Sequence, residues 1–137
     1  MANLVEVSFP GGKRVTAKIG QFTIETDQPA DQGGQGSAPS PFEVFAASLA
    51  ACAGFYVLSF CQARQLPTEG MRLWQRLLYE ERRLEAVELH IEVPASFPDR
   101  YRDALARVAE GCTVKRAIEA QPKFWVRVAA MPAASAA

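Results

Sequence analysis

The chemistry available to this chain of 137 residues is concentrated in three cysteines, Cys52, Cys61 and Cys112. None has a CxxC or CxxH spacing, so neither a disulfide scaffold nor a structural zinc site is expected. Cys52 lies inside Ala50-Ala51-Cys52-Ala53-Gly54, where small neighbours would let another backbone or a small ligand approach the sulfur. A cysteine in such a setting is either an apolar filler or a reactive thiol. Cys61 falls nine residues later on the same expected helix, half a turn out of phase and about 13 Å further along its axis. A disulfide needs Cα atoms within about 7 Å, so these two cannot pair within one helix, and Cys61 reads as packing. Cys112 follows Gly111 at a corner between two expected helices, with Lys115 and Arg116 just beyond. Positive charge there would favour a thiolate.

Other chemical candidates are weaker. His90, the one histidine, sits in an alternating strand among acidic residues and anchors no metal site. Gly33-Gly34-Gln35-Gly36 is not followed by GK[ST] and does not match GxGxxG, so it reads as a flexible loop and not a phosphate cradle. Glu80-Glu81-Arg82-Arg83 reads as a solvated turn.

The elements that must position the cysteines follow from patterning. Leu4, Val5, Val7 and Phe9, a turn at Pro10-Gly11-Gly12, then Arg14–Ala17 predict a hairpin, and Phe22–Thr26 a third strand. Asp27–Pro41 is loop, rich in Gly and Pro. Ser40-Pro41-Phe42-Glu43 predicts a capping box opening a helix that runs to about Arg64. Met71–Glu81 and the alternating Val87, Leu89, Ile91 and Val93 predict two strands. Arg100–Gly111 and Val114–Glu119 predict helices, Phe124–Val128 a last strand, and the tail from about residue 130 should fray. The expected class is α+β in a single domain over residues 1–137, with a long buried helix packed on antiparallel sheet.

Fifteen basic residues balance fifteen acidic ones, which argues against nucleic-acid binding, since that needs a surplus of Lys and Arg. Hydrophobic residues at 49% with charged residues at 22% describe a folded chain. The opening MANLVEVSFPGGKR has no basic n-region leading into an apolar run, so a cytoplasmic protein is expected. Val44–Ala63 carries no charge and is long enough for a membrane span. Ala, Ser, Gly, Cys and Gln fill about half of it, however, so the reading is no membrane but a helix apolar on every face. A chain this short cannot wrap such a helix alone, which implies a partner subunit.

The stretches Asp27-Gln28-Pro29, Gly33-Gly34, Ala38-Pro39-Ser40-Pro41-Phe42-Glu43, Ala50-Ala51-Cys52 and Gly111-Cys112-Thr113-Val114-Lys115 together resemble the OsmC/Ohr family, in particular its OsmC-like branch carrying APSPxE. The resemblance implies an intertwined homodimer with the OsmC-like fold, acting on organic hydroperoxides without metal or cofactor. It implies Cys52 as the peroxidatic residue and Cys112 as the resolving one, with a dithiol reductant restoring the pair, for which the resemblance suggests a lipoyl type. Family hydroperoxide-resistance proteins place a carboxylate ten residues before the reactive cysteine, where this chain has Phe42. Glu43 is the nearest carboxylate, either a catalytic group or a helix cap only. The thiolate-stabilising arginine of those proteins corresponds to Arg14, with Lys13 and Lys18 the other cations in the region. The alternative function under the same resemblance is a non-catalytic or redox-sensing protein that binds a small hydrophobic ligand in the dimer crevice.

Overall fold

Alternation in the first 26 residues builds an amphipathic sheet. The computed structural model describes residues 3–132, and in it β1 (Val5–Gly11), β2 (Arg14–Ile19) and β3 (Phe22–Thr26) form an antiparallel meander. The register sets Val5 against Ile19 and Val7 against Ala17, then Ile19 against Phe22 and Ala17 against Ile24. Because side chains alternate faces, this collects Val5, Val7, Val15, Ala17, Ile19, Phe22 and Ile24 on one side. Glu6, Ser8, Thr16, Lys18, Thr23 and Glu25 take the other, where Thr16 donates to the Glu25 carboxylate at 2.8 Å. The apolar face is uncovered: Val5, Val7, Phe22 and Ile24 are all exposed.

The loop after β3 delivers the chain to helix α1 (Pro41–Ala63). The expected capping box is present. The Ser40 hydroxyl accepts from the Glu43 amide at 3.3 Å, while the Glu43 carboxylate accepts from the Ser40 amide at 3.4 Å and from its hydroxyl at 3.0 Å. Two further strands, β4 (Arg72–Glu80) and β5 (Arg83–Glu92), form a separate hairpin whose turn places Glu81 and Arg82 at positive φ. That is the geometry a two-residue primed turn demands, here without the usual glycine or asparagine. A 3-10 turn at Asp99–Tyr101 leads into α2 (Arg102–Glu110), and Gly111-Cys112 separates it from α3 (Thr113–Glu119).

Helix α1 packs against α2, α3 and β4. The core gathers Ala53, Val57, Phe60 and Cys61 of α1 with Phe97, Leu105, Ala109 and Cys112. Cys61 is fully enclosed, and burial pushes its thiol pKa up against a smaller opposing pull from Arg64, which suits a packing role.

Within one chain α1 buries one stripe only, in keeping with a chain too short to wrap the helix alone; Phe55 is 62% exposed and Leu58 42% exposed. α1 is the one helix among the described residues long and apolar enough to cross a membrane. Phe124–Val128, expected as a last strand, pairs with neither sheet, and Val126 is 90% exposed. Its period-2 pattern suits a strand, but within this chain the segment docks against no sheet edge. Of the tail expected to fray, residues 133–137 lie outside the described residues.

Candidate redox site

Cys52 lies on the fourth turn of α1, half-buried and packed against the core. Cys112 is 1% exposed and belongs to that core. It is the N-cap of α3, with extended backbone (φ −65°, ψ 150°) and a sulfur that accepts from the Lys115 amide at 3.4 Å. A sulfur here takes the place usually held by a Ser or Asp oxygen. Both cysteines are free thiols. Helices α1 and α3 are in direct contact, and one hydrogen bond crosses between them beside the sulfurs: the hydroxyls of Tyr56 and Thr113 meet at 2.6 Å. Tyr56 is one turn after Cys52 on the same face of α1, and Thr113 directly follows Cys112. The fold therefore brings to one helix crossing two thiols sixty residues apart in sequence.

Beside this crossing, α1, α2, α3 and β5 enclose an open cleft of about 980 Å³. Leu49, Ala53, Leu89, Ile91 and Leu105 supply an apolar floor and Cys112 reaches its wall, whereas Cys52 does not line it. Arg102, Lys115, Glu92 and Glu119 stand at its rim.

The remaining expected residues fall elsewhere. Glu43 is exposed and engaged with Ser40 in the capping box. Arg14 is exposed at the β1–β2 turn, paired with Gly11, and alternation along β2 sets it with Thr16 and Lys18 on the polar face. Among the described residues no hydrogen bond or ion pair joins Arg14 or Glu43 to Cys52. His90 is exposed, stacked on Trp74 at 4.0 Å and bonded to Glu88 at 3.2 Å. No group of three or more His, Cys, Asp or Glu side chains able to hold a metal occurs among the described residues.

Sequence reasoning passed over the organiser of the loop. Asp27 is 1% exposed, and its carboxylate accepts from the amides of Gln28, Gln35 and Ser37 and from the Ser37 hydroxyl. Its own amide donates to the Pro39 carbonyl at 3.1 Å. The Ser37 hydroxyl, then these amides, lower its pKa to about 2. The Gly-rich segment is thus pinned. At Gly34 any Cβ would sit 1.9 Å from the Gln28 carbonyl oxygen, so only glycine fits. Nothing in composition announced this; the signal was an Asp opening a Gly-rich stretch that ends at a helix cap.

Residues 34–127, more than half of the chain, match the family model described as OsmC-like protein. The chain belongs to the OsmC-like protein family. The matched span runs from Gly34 through α1 and past α3, and so contains both thiols of the helix crossing. This OsmC-like chain is 25% identical to a Psychrobacter arcticus protein proposed to be an osmotic stress induced and detoxification response protein, with a TM-score of 0.68 over 82% of this chain and 85% of that one. An organic hydroperoxide resistance protein OsmC from Legionella pneumophila superimposes with a TM-score of 0.55 at 21% identity, covering 84% and 88%. A proposed organic hydroperoxide resistance protein of Vibrio cholerae, with captopril bound in one of its active sites, aligns with a TM-score of 0.56 at 16% identity over 86% and 85%. No curated protein sequence matches the chain closely enough to count as a relative.

Proposed function

We propose that this OsmC-like protein is a cytoplasmic, homodimeric thiol peroxidase that reduces organic hydroperoxides. The observation that supports the reading is the Tyr56–Thr113 hydrogen bond between α1 and α3, one turn from Cys52 and one residue from Cys112, with both cysteines free thiols in or against the same core. The Cys52 thiolate attacks the distal peroxide oxygen, the O–O bond breaks, and the alkoxide leaves and is protonated to the alcohol. Cys52 is left as sulfenic acid. The Cys112 sulfur then displaces the sulfenic oxygen, which departs as water with the Cys112 proton, and a disulfide forms. An external dithiol of lipoyl type reduces it by exchange. Hydroperoxide resistance in the names of two structural neighbours supports this reading.

A second copy is part of the proposal. The apolar face of β1–β3, the Phe55 and Leu58 side of α1, and the unpaired Phe124–Val128 segment are three large apolar surfaces left to water in one chain. Joined with their counterparts in a second copy, they would bury one another. In this reading the cation that holds Cys52 as a thiolate is Arg14, contributed across the dimer, and Glu43 serves as the cap of α1.

The open cleft of about 980 Å³ favours the alternative of a non-catalytic or redox-sensing protein that binds a hydrophobic ligand. Intact mass and free-thiol count before and after one equivalent of cumene hydroperoxide decide between the two. Loss of two thiols and two hydrogens, mapped to Cys52 and Cys112 and abolished by Cys52→Ser, is expected. Unchanged thiols would transfer the assignment to ligand binding.

A further inference from the structure

We propose that Tyr56 is a positioning residue for the disulfide step, acting through Thr113 to hold the Cys112 corner against α1 one turn beyond Cys52. The inference rests on the Cys52–Cys112 pairing proposed above and adds to it the group that makes the pairing fast.

The argument starts from what Cys112 must do. Its sulfur caps α3 through the Lys115 amide, and the same sulfur must reach Cys52 to form the disulfide. Helix α3, at seven residues, is too short to hold its own shape alone. A second tether keeps the corner in place. The Tyr56–Thr113 bond is the side-chain hydrogen bond that joins α1 to α3 among the described residues, and its partners lie one helical turn after Cys52 and one residue after Cys112. Tyr56 is further fixed by Phe55, whose ring meets it edge-on at 5.6 Å. Because the bond uses Thr113 and not Cys112, it survives disulfide formation, so it restrains the corner before, during and after the step. It touches neither sulfur, hence it sets the effective concentration of one thiol at the other without altering the reactivity of Cys52 toward peroxide.

Two measurements on Tyr56→Phe, Thr113→Val, the double variant and Thr113→Ser test this. In the first, Cys52 is oxidised with cumene hydroperoxide, sulfenic acid is trapped with dimedone, and the condensation rate is followed by quenched intact mass. Tyr56→Phe should leave the Cys52 oxidation rate within twofold of wild type and slow condensation by about fivefold, the loss expected for one solvent-accessible hydrogen bond. The double variant should be no slower than either single one, and Thr113→Ser should restore the wild-type rate. In the second, the thiol pair is equilibrated in an oxidised and reduced dithiothreitol buffer, which needs no peroxide chemistry. Tyr56→Phe should lower the equilibrium constant for the Cys52–Cys112 disulfide by a similar factor. If wild-type Cys52 ignores peroxide but the buffer titration responds to Tyr56→Phe, the peroxidase reading falls and the positioning role stands. If condensation and the buffer equilibrium are both unchanged in Tyr56→Phe, or if Tyr56→Phe slows Cys52 oxidation equally, the positioning role is overturned.

Discussion

Replacing Cys112 in two ways separates its structural role from its redox role. The sulfur accepts the Lys115 amide at 3.4 Å as the N-cap of α3, and the residue is 1% exposed. Cys112→Ala removes the cap acceptor, which costs about 1 kcal/mol, and one buried heavy atom with its contacts, which costs about 1 kcal/mol more. Cys112→Ser loses the polarisable sulfur but keeps an acceptor for the same amide, and oxygen is the better cap. The alanine variant should therefore be the less stable of the two by about 1 kcal/mol, or about 4 °C in Tm for a chain of this size. Urea and thermal unfolding, at equal protein concentration because a dimer's stability depends on it, measure the difference. Under one equivalent of cumene hydroperoxide both variants should stop at a Cys52 sulfenic acid that dimedone captures, with no disulfide. Equal stability of the serine and alanine variants would remove the cap from the account. Loss of two thiols in either variant would remove Cys112 as the resolving group.

Gly34→Ala drives a Cβ to within 1.9 Å of the Gln28 carbonyl oxygen and must break the adjoining Gly36–Gln28 bond. Unfolding midpoints should show it costing roughly 2–3 kcal/mol, against about 1 kcal/mol for Gly36→Ala, which meets no atom within 4 Å but sits at φ +61°; equal costs would mean the loop yields freely. Asp27 has its carboxyl pKa lowered in the fold from 3.8 to about 2, so its ionised form stabilises the native state above about pH 4, and that contribution fades as pH falls toward 2. The stability gap between wild type and Asp27→Asn, from urea midpoints at pH 7 and pH 3, should accordingly narrow at the lower pH; a constant gap would refute the carboxylate's role. Val7→Asp places a charge on the uncovered β1–β3 face, on its edge strand β1 opposite Ala17, and sedimentation velocity should show a dimer weakened at least tenfold. A monomeric wild type, or an unaffected variant, would contradict the proposed use of that face.

The sequence alone determined whatever depends on neighbours a few residues apart. Ser40 and Glu43 had to form a capping box because both partners lie within one turn, and strands β1 to β3 had to alternate because their apolar residues recur every second position. The long helix, the exclusion of Cys52 from bonding Cys61, and the family resemblance in the loop and cysteine motifs were legible for the same local reason. The last strand was not, because Phe124–Val128 has the pattern of a strand, but pairing is decided by where the segment lies and it pairs with neither sheet of this chain. Only the tertiary structure decided that α1 buries a single stripe, that Asp27 gathers four donors from ten residues of loop, and that Thr113, next to Cys112, bonds Tyr56 one turn from Cys52. The stripe and the helix contact depend on core packing, in which Ala53 of α1, Leu105 and Ala109 of α2, and Cys112 are remote in sequence but fill a shared volume.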